Sequence, residues 1–289
     1  MKTDEFKAID NFDLNNYITS YKDIISIEKA EKKLKKNRNK LSVIQDRMYA
    51  YNKYSLLICI QGMDASGKDS LIREVFKNLN AQGIEVTSFK APSEIEYQHD
   101  YLWRHYIALP SKGKIGVFNR SHYENVLISQ VHPEIVLKEN IPNINKLEDI
   151  TDEFWEMRYN QINQFEEHLV KNGTIVLKFF LNMDKEEQKE RLLRRIDKTK
   201  HNWKFSASDV EERERWDDYM KFYDKTISRT STDYAPWYII PSNEKEISRC
   251  LVSEILVNEM KKYKDIQYPK VEVEETMGLK SYKTELLNE

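Results

Sequence analysis

Gly62, Gly67 and Lys68 keep the spacing G-x-x-x-x-G-K inside QGMDASGKDS, residues 61–70. Small residues at those places let backbone N–H groups close around phosphate oxygens, and the lysine adds a mobile charge. The residue after such a lysine is ordinarily Ser or Thr, whose hydroxyl reaches a magnesium ion. Here it is Asp69, with Ser70 one place late and a second carboxylate, Asp64, inside the loop. Gly62, Ala65, Ser66, Gly67, Lys68, Asp69 and Ser70 are therefore expected to cradle phosphate. Asp64 would repel a bare phosphate, so it is expected to hold magnesium as a hard oxygen ligand. Asp69 is either a second ligand or a favourable partner for the dipole of the helix that must follow.

Three further clusters belong with this loop. In IGVFNRSHYEN, Asn119 stands where a nucleoside triphosphatase usually ends a strand with a magnesium-holding aspartate. Arg120 follows, suited to a bidentate grip on phosphate; an ion pair with Glu124, four residues on, is the alternative. Lys90 ends another strand and is expected to reach phosphate too. In ERLLRRIDKTKHNWKFSASDVEERERW, Arg191, Arg194 or Arg195, and Lys198 fall along one side of a helix. Lys200, His201 and Lys204 follow in a short connection. That pattern fits a nucleotide-kinase lid, which carries cations over the transferring phosphates and keeps water out; a solvated charged helix is the plainer reading. Glu94, His99, Asp100, Trp103 and Arg104 cluster on one predicted helix, where His99 reads as structural. Trp216, Tyr219, Phe222 and Tyr223 read as core.

The elements that must hold these residues can be traced along the chain. SLLICIQ is a near-continuous apolar run, as expected for a strand buried on both faces of a parallel sheet. IEVTSFKAP, KGKIGVFN, TIVLKFFLNM and APWYIIP supply four more strands. Helices are predicted from Ile27 to beyond Met48, after the loop, over 94–109, after Asn119, over 152–172, 184–196, 206–230 and 243–263. The alternation implies an α/β fold with a parallel sheet covered on both sides. Residues 1–25 are either poorly ordered or a docking arm, and the tail from about 264 is polar. The basic run EKKLKKNRNK is a solvated helix face or part of a polyanion channel.

Composition narrows the partners. In 289 residues, 40% are hydrophobic and 33% charged, yet the formal charge is only −2, which announces neither nucleic acid nor a membrane. Two cysteines without paired spacing argue against a disulfide framework or zinc site and fit a reducing cytoplasm. The opening MKTDEFKAIDNF lacks a signal-peptide core, and no segment has the length of a membrane span.

QGMDASGKDS, FNRSHYE, KFSASDVEERERWDDY and APWYIIP together resemble the polyphosphate kinase 2 family, over roughly residues 30–265. The resemblance implies a P-loop kinase fold similar to thymidylate kinase, with a parallel five-stranded sheet, helices on both faces and a helical lid at about 190–210. It divides the chain into an N-terminal arm (1–26), a phosphotransferase domain (27–265) and a C-terminal tail (266–289). It implies transfer of the terminal phosphoryl group of inorganic polyphosphate to AMP and ADP, giving ADP and ATP reversibly, with magnesium or manganese as cofactor. Other nucleotides are further candidates for the acceptor. A cytoplasmic homo-oligomer is expected, with no nucleic-acid or membrane partner. Asp64 and Lys68 match the family's loop positions, Arg120 its second motif, and Arg195 and Lys204 its lid. Much of the family has F-D-R-S-x-Y-N where this chain has Phe118-Asn119-Arg120-Ser121-His122-Tyr123-Glu124. That departure is similar to the branch acting on both AMP and ADP, with Glu124 either restoring the missing carboxylate or playing a structural part. Two rivals share these features: an ATP-dependent nucleoside-monophosphate kinase and a non-catalytic polyphosphate-binding protein. A regulatory GTPase fits less well, since NKLED at Asn145 has Glu148 where guanine recognition needs aspartate.

Overall fold

β1 (Ser55–Gln61) is buried along its whole length, which is why its sequence reads as an unbroken apolar run. In this computed structural model, residues 3–8, 12–270 and 273–289 are described. β1 lies at the centre of five parallel strands, preceded by the long helix α1 (Ile27–Tyr51). After it come α2 (Lys68–Val75), β2 (Ile84–Ser88), the short α3 (Glu94–Tyr97) and α4 (Trp103–Tyr106), and β3 (Ile115–Asn119). Short helices α5 (Ile128–Val131) and α6 (Glu134–Leu137) lead to α7 (Asp152–Lys171) and β4 (Thr174–Asn182). α8 (Lys185–Asp197), α9 (Ala207–Glu214) and α10 (Trp216–Thr230) precede β5 (Trp237–Pro241), α11 (Lys245–Met260) and α12 (Val273–Leu287).

The strand order is β2-β3-β1-β4-β5, all parallel. The chain leaves β1 for one edge and returns to the other, so the crevice for a ligand opens at the carboxyl end of β1. The register aligns Ile60 with Asn119 and Phe179, and Asn119 with Ser88. The loop, the second motif and the end of β2 therefore share one rim. α1, α2 and α11 cover one face of the sheet, through residues such as Leu34, Leu41, Met48, Leu71, Val75, Leu251 and Ile255. α7, α10 and the turn after β3 cover the other, with Tyr123, Trp155, Tyr159, Tyr219, Tyr223 and Trp237 in its core. The aromatic run of α10 is core, as its sequence implies.

The N-terminal residues dock. Phe6, Ala8, Phe12, Leu14 and Tyr21 are buried, the Ala8 N–H donates to Trp237 O at 2.9 Å, and Lys7 bridges Tyr238. This covers the edge of β5, an otherwise open row of backbone groups. Three expected helices are broken. The 94–109 segment divides into α3 and α4 where Asp100 Oδ1 takes the Leu102 N–H at 2.9 Å, a local bond that competes with helix. The 206–230 segment divides at Arg215, which leaves helical geometry at φ −91° and ψ 19°. After Asn119 there is a 3-10 turn, His122–Val126, rather than one helix. The basic face of α1 is partly paired and partly solvated: Lys33 meets Glu254 and Arg38 meets Glu74, while Lys35, Lys36 and Lys40 are exposed. The tail ends in the helix α12.

A charged network is sealed beneath the turn. Lys178 and Glu166 are both fully buried and paired at 2.6 Å. Glu166 also accepts from Tyr123 Oη (2.7 Å) and lies 3.1 Å from His122 Nε2, while Lys178 donates to Tyr123 Oη (2.9 Å) and Thr230 O (2.7 Å). Burial pushes the Glu166 carboxyl up, but Lys178 and His122 outweigh it and hold the group below its ordinary value. Removing one member leaves an unpaired buried charge. Lys178→Met is expected to cost about 3–5 kcal/mol in chemical denaturation; a loss under about 1 kcal/mol would show that the network does not hold the turn in place.

Candidate active site

The loop at the carboxyl end of β1 takes the shape its residues allow. Gly62 and Gly67 lie at φ +150° and +107°, and Gly67 caps α2. A Cβ at Gly62 would come within 2.9 Å of Ser66 Oγ and 3.1 Å of the Leu181 carbonyl. Lys68 folds back over the loop and donates to Gly62 O (2.6 Å) and Met63 O (3.1 Å). Burial, then the neighbouring Arg120, lowers its ammonium to about 8, against the pull of Asp64, Glu124 and Asp69.

Arg120 sits just past β3 at φ +61°, a conformation that disfavours any side chain, and its N–H donates to Ile60 O at 3.2 Å. The twist carries its guanidinium between two carboxylates: Asp64 at 2.7 Å and Glu124 at 3.3 Å. Glu124, then Asp64, raises Arg120 against the cost of burial. The local ion pair weighed from sequence is real, and it coexists with a second one to the phosphate loop. Asn119 Nδ2 donates to Asp69 Oδ1 at 2.7 Å and to Ser88 Oγ at 3.4 Å. An isosteric aspartate at 119 would set two carboxylate oxygens at that separation, a repulsion that only a proton or a shared cation relieves.

In the lid segment Arg195 pairs with Asp209 at 2.6 Å and reaches Lys204 O at 3.4 Å. Burial, then Asp64, raises the Asp209 carboxyl against Arg195. A cavity of about 520 Å³ joins the loop to this segment. Its wall carries ten cations, Lys68, Arg73, Lys90, Arg120, Arg191, Arg194, Arg195, Lys204, Lys245 and Arg249, against only Asp64 and Asp69. Ala65, Gly67, Ser70 and Asn119 also face it. Gly62, Ser66, Glu124 and Lys198 are not on the wall, although Glu124 reaches it through Arg120. The side chain of His201 lies outside the described residues.

Sequence reading missed Arg73, Lys245 and Arg249. Lys245 and Arg249 stand one helical turn apart, directly after the carboxyl end of β5, so the signal was their place on the same rim as the loop. Burial, then Arg191, Arg194 and Arg249, lowers Lys245 to about 8. The 94–104 cluster is not on the wall: His99 stacks on Trp103 with ring centroids 3.9 Å apart, and Arg104 pairs with Glu96 and donates to Lys90 O at 2.7 Å.

For a divalent ion the donor set is open. Among the described residues no three His, Cys, Asp or Glu side chains form a closed metal cluster. Magnesium needs no such cage, since one or two carboxylates plus substrate phosphates hold it. Asp64, partly exposed beside Lys68 on the cavity wall, fits that role.

A parallel sheet, a glycine-lysine loop on its central strand and a cationic helical segment over that loop define a phosphate-loop kinase fold. Residues 24–269 match the family described as polyphosphate kinase 2, and the chain belongs to it. It is 49% identical over 230 residues to an ADP-polyphosphate phosphotransferase of Rhodopseudomonas palustris, covering 80% of this chain and 78% of that one. It is 42% identical over 233 residues to an AMP/ADP-polyphosphate phosphotransferase of Meiothermus ruber, covering 81% of each. The crystal structure of polyphosphate kinase 2 from Arthrobacter aurescens superposes with a TM-score of 0.86 at 31% identity, over 96% of this chain and 95% of the other. Among the described residues no helix is long and apolar enough to cross a membrane.

Two lysines held near 8 in one cavity have a measurable consequence. An arriving phosphate favours the charged ammonium, so binding draws protons in the window from about 8 up to their ordinary 10.5. Calorimetry of inorganic tripolyphosphate at pH 9, in buffers of different ionisation enthalpy, is expected to show net proton uptake. Lys68→Arg should reduce that uptake by about one proton per site. Heats that do not depend on the buffer would mean both lysines are already charged in the protein alone.

Proposed function

We propose that this chain transfers the terminal phosphoryl group of inorganic polyphosphate to AMP and ADP, forming ADP and ATP, and that the reaction runs in both directions. The observation that carries this is the ratio of ten cations to two carboxylates around one phosphate loop. A polyphosphate end and a nucleotide phosphate are both polyanions, and their approach is the barrier. Neutralising charge and holding an in-line geometry supply the catalysis, because an acceptor phosphate oxygen is already ionised near neutral pH and needs no general base.

In this reading Lys68 and Arg120 hold the transferring group, and the backbone of residues 62–70 binds it. Lys90, Arg195 and Lys204 add charge at the rim and over the top. Asp64 orients Arg120 and, together with substrate phosphates, holds magnesium or manganese, which when bound neutralises phosphate charge. Asn119 keeps Asp69 in place without adding a carboxylate of its own, and Glu124 fixes Arg120 from below. Assembly into a homo-oligomer and a cytoplasmic setting complete the reading. The apolar side chains Val86, Ile95, Tyr106 and Ile107, exposed on and after the edge strand β2, support the first, and the free, buried Cys59 and Cys250 the second.

The names of the two relatives differ in their acceptors, so the test starts from AMP alone. The protein, AMP, magnesium and polyphosphate, without any triphosphate, are expected to give ADP first and ATP after it. A product only with ATP as donor would favour a conventional monophosphate kinase. Salt-sensitive polyphosphate binding without turnover would favour a binding protein. Lys68→Ala should lower the rate about a thousandfold with the fold intact. Asn119→Asp should shift the ratio of AMP to ADP turnover more than it shifts polyphosphate affinity, and equal effects on both acceptors would remove Asn119 from acceptor choice.

A further inference from the structure

A loop that turns its N–H groups toward an anion turns its carbonyls away, and those oxygens need donors from elsewhere. Here five consecutive carbonyls, Gly62 to Ser66, are met by side chains. Lys68 serves the first two. Gln188 Nε2 donates to Asp64 O at 3.1 Å, and Arg191 Nη1 donates to Ala65 O (3.0 Å) and Ser66 O (2.8 Å). The rest of the Arg191 guanidinium is equally committed: Nη2 to Ser242 O (2.6 Å) and Asn243 O (2.8 Å), Nε to Glu187 Oε1 (2.6 Å). A guanidinium has five N–H groups. All five are used, and the side chain is 3% exposed. Although Arg191 touches the cavity wall, it has no donor left for a phosphate. Gln188, also buried, is held in turn by Arg213, which donates to its Oε1 (2.9 Å) and to Lys185 O (2.6 Å).

We infer that Gln188 and Arg191 are positioning residues of the transfer reaction: they bolt the first two turns of α8 to the outer side of the phosphate loop and so aim its N–H groups inward. Their spacing, one helical turn apart, places both on the face of α8 that meets the loop. The segment able to move over substrate therefore begins after Arg191, and Arg194 is the first cation of α8 free to reach phosphate. The inference rests on the phosphotransferase reading above and divides the basic cluster of α8 into a strut and a lid.

Arg191→Lys keeps the charge but offers one nitrogen where two carbonyl pairs need two. Gln188→Leu keeps the volume and removes the donor. Each is expected to lower kcat about a hundredfold, with polyphosphate KM changed by less than about threefold. With saturating inorganic tripolyphosphate bound, amide exchange at residues 62–67 should quicken relative to the unaltered protein under the same conditions, while that of β1 and β4 stays the same; a general loss of stability would quicken all of them. Near-normal kcat with a raised polyphosphate KM in Arg191→Lys would make Arg191 a phosphate-gripping cation and overturn the inference, as would unchanged loop exchange in Gln188→Leu. Should Arg191→Lys fail to fold, Gln188→Leu decides alone. Absence of turnover in the unaltered protein would defeat the phosphotransferase reading instead, and the exchange measurement would still decide this one.

Discussion

Positive charge gathered in one place is the constraint around which this molecule is built. Ten cationic side chains face a cavity of about 520 Å³ with two carboxylates among them. Like charges at such range repel by more than water alone relieves, since the protein interior screens poorly. The protein meets the repulsion with its own groups, in three ways. Lys68 and Lys245 lie where burial and cationic neighbours favour losing a proton. Arg120 and Arg195, which cannot lose one, each take a carboxylate partner. Arg191 is absorbed into the framework altogether.

The same constraint explains why the backbone beneath the site is so firmly held. Arg120 occupies a left-handed conformation, and such strain persists only where the surroundings over-determine it. They do so here. Ser121 accepts from Gln61 on β1, and Tyr123 and His122 reach down to Glu166, itself paired with Lys178 in the sealed interior. One buried ion pair thus sets the turn that sets the arginine. On the opposite side of the cavity, α8 sets the loop through its carbonyls. The two motifs that must meet at the transferring group are each fixed from behind, by different elements, and join through the Arg120–Asp64 pair.

Much of this was legible in the sequence, because the signals were local. The buried central strand, the glycine spacing, the polar rim after β3 and the switch to helical periodicity each span a few residues. The five-stranded parallel sheet follows from their alternation. What stayed hidden depends on side chains distant in sequence. Arg191, Arg194 and Arg195 look alike in a row of letters; only the carbonyls of residues 65, 66, 242 and 243 distinguish the first from the others. The docking of the N-terminal residues needed β5 to be placed before Phe6 and Ala8 had anything to cover. The breaks at 98–102 and at Arg215 escaped because helical periodicity runs through them.

The carboxylates on the cavity rim then make sense as partners of intermediate strength. A phosphate group offers a guanidinium the same two-oxygen fork as a carboxylate and carries more charge. Asp64 and Asp209 are held by Arg120 and Arg195 through single close contacts, at 2.7 and 2.6 Å, on groups that keep some exposure to solvent. Such partly exposed pairs change partners more readily than a fully buried one. Glu166, by contrast, is buried with three partners and stays where it is. The division follows depth: ion pairs at the rim trade partners with substrate, while the pair in the core does not. An aspartate directly after the loop lysine fits this arrangement, because Asn119 meets it with an amide and not with a second charge. The site thereby keeps its negative groups few, partly exposed and exchangeable, which is what the meeting of two polyanions requires.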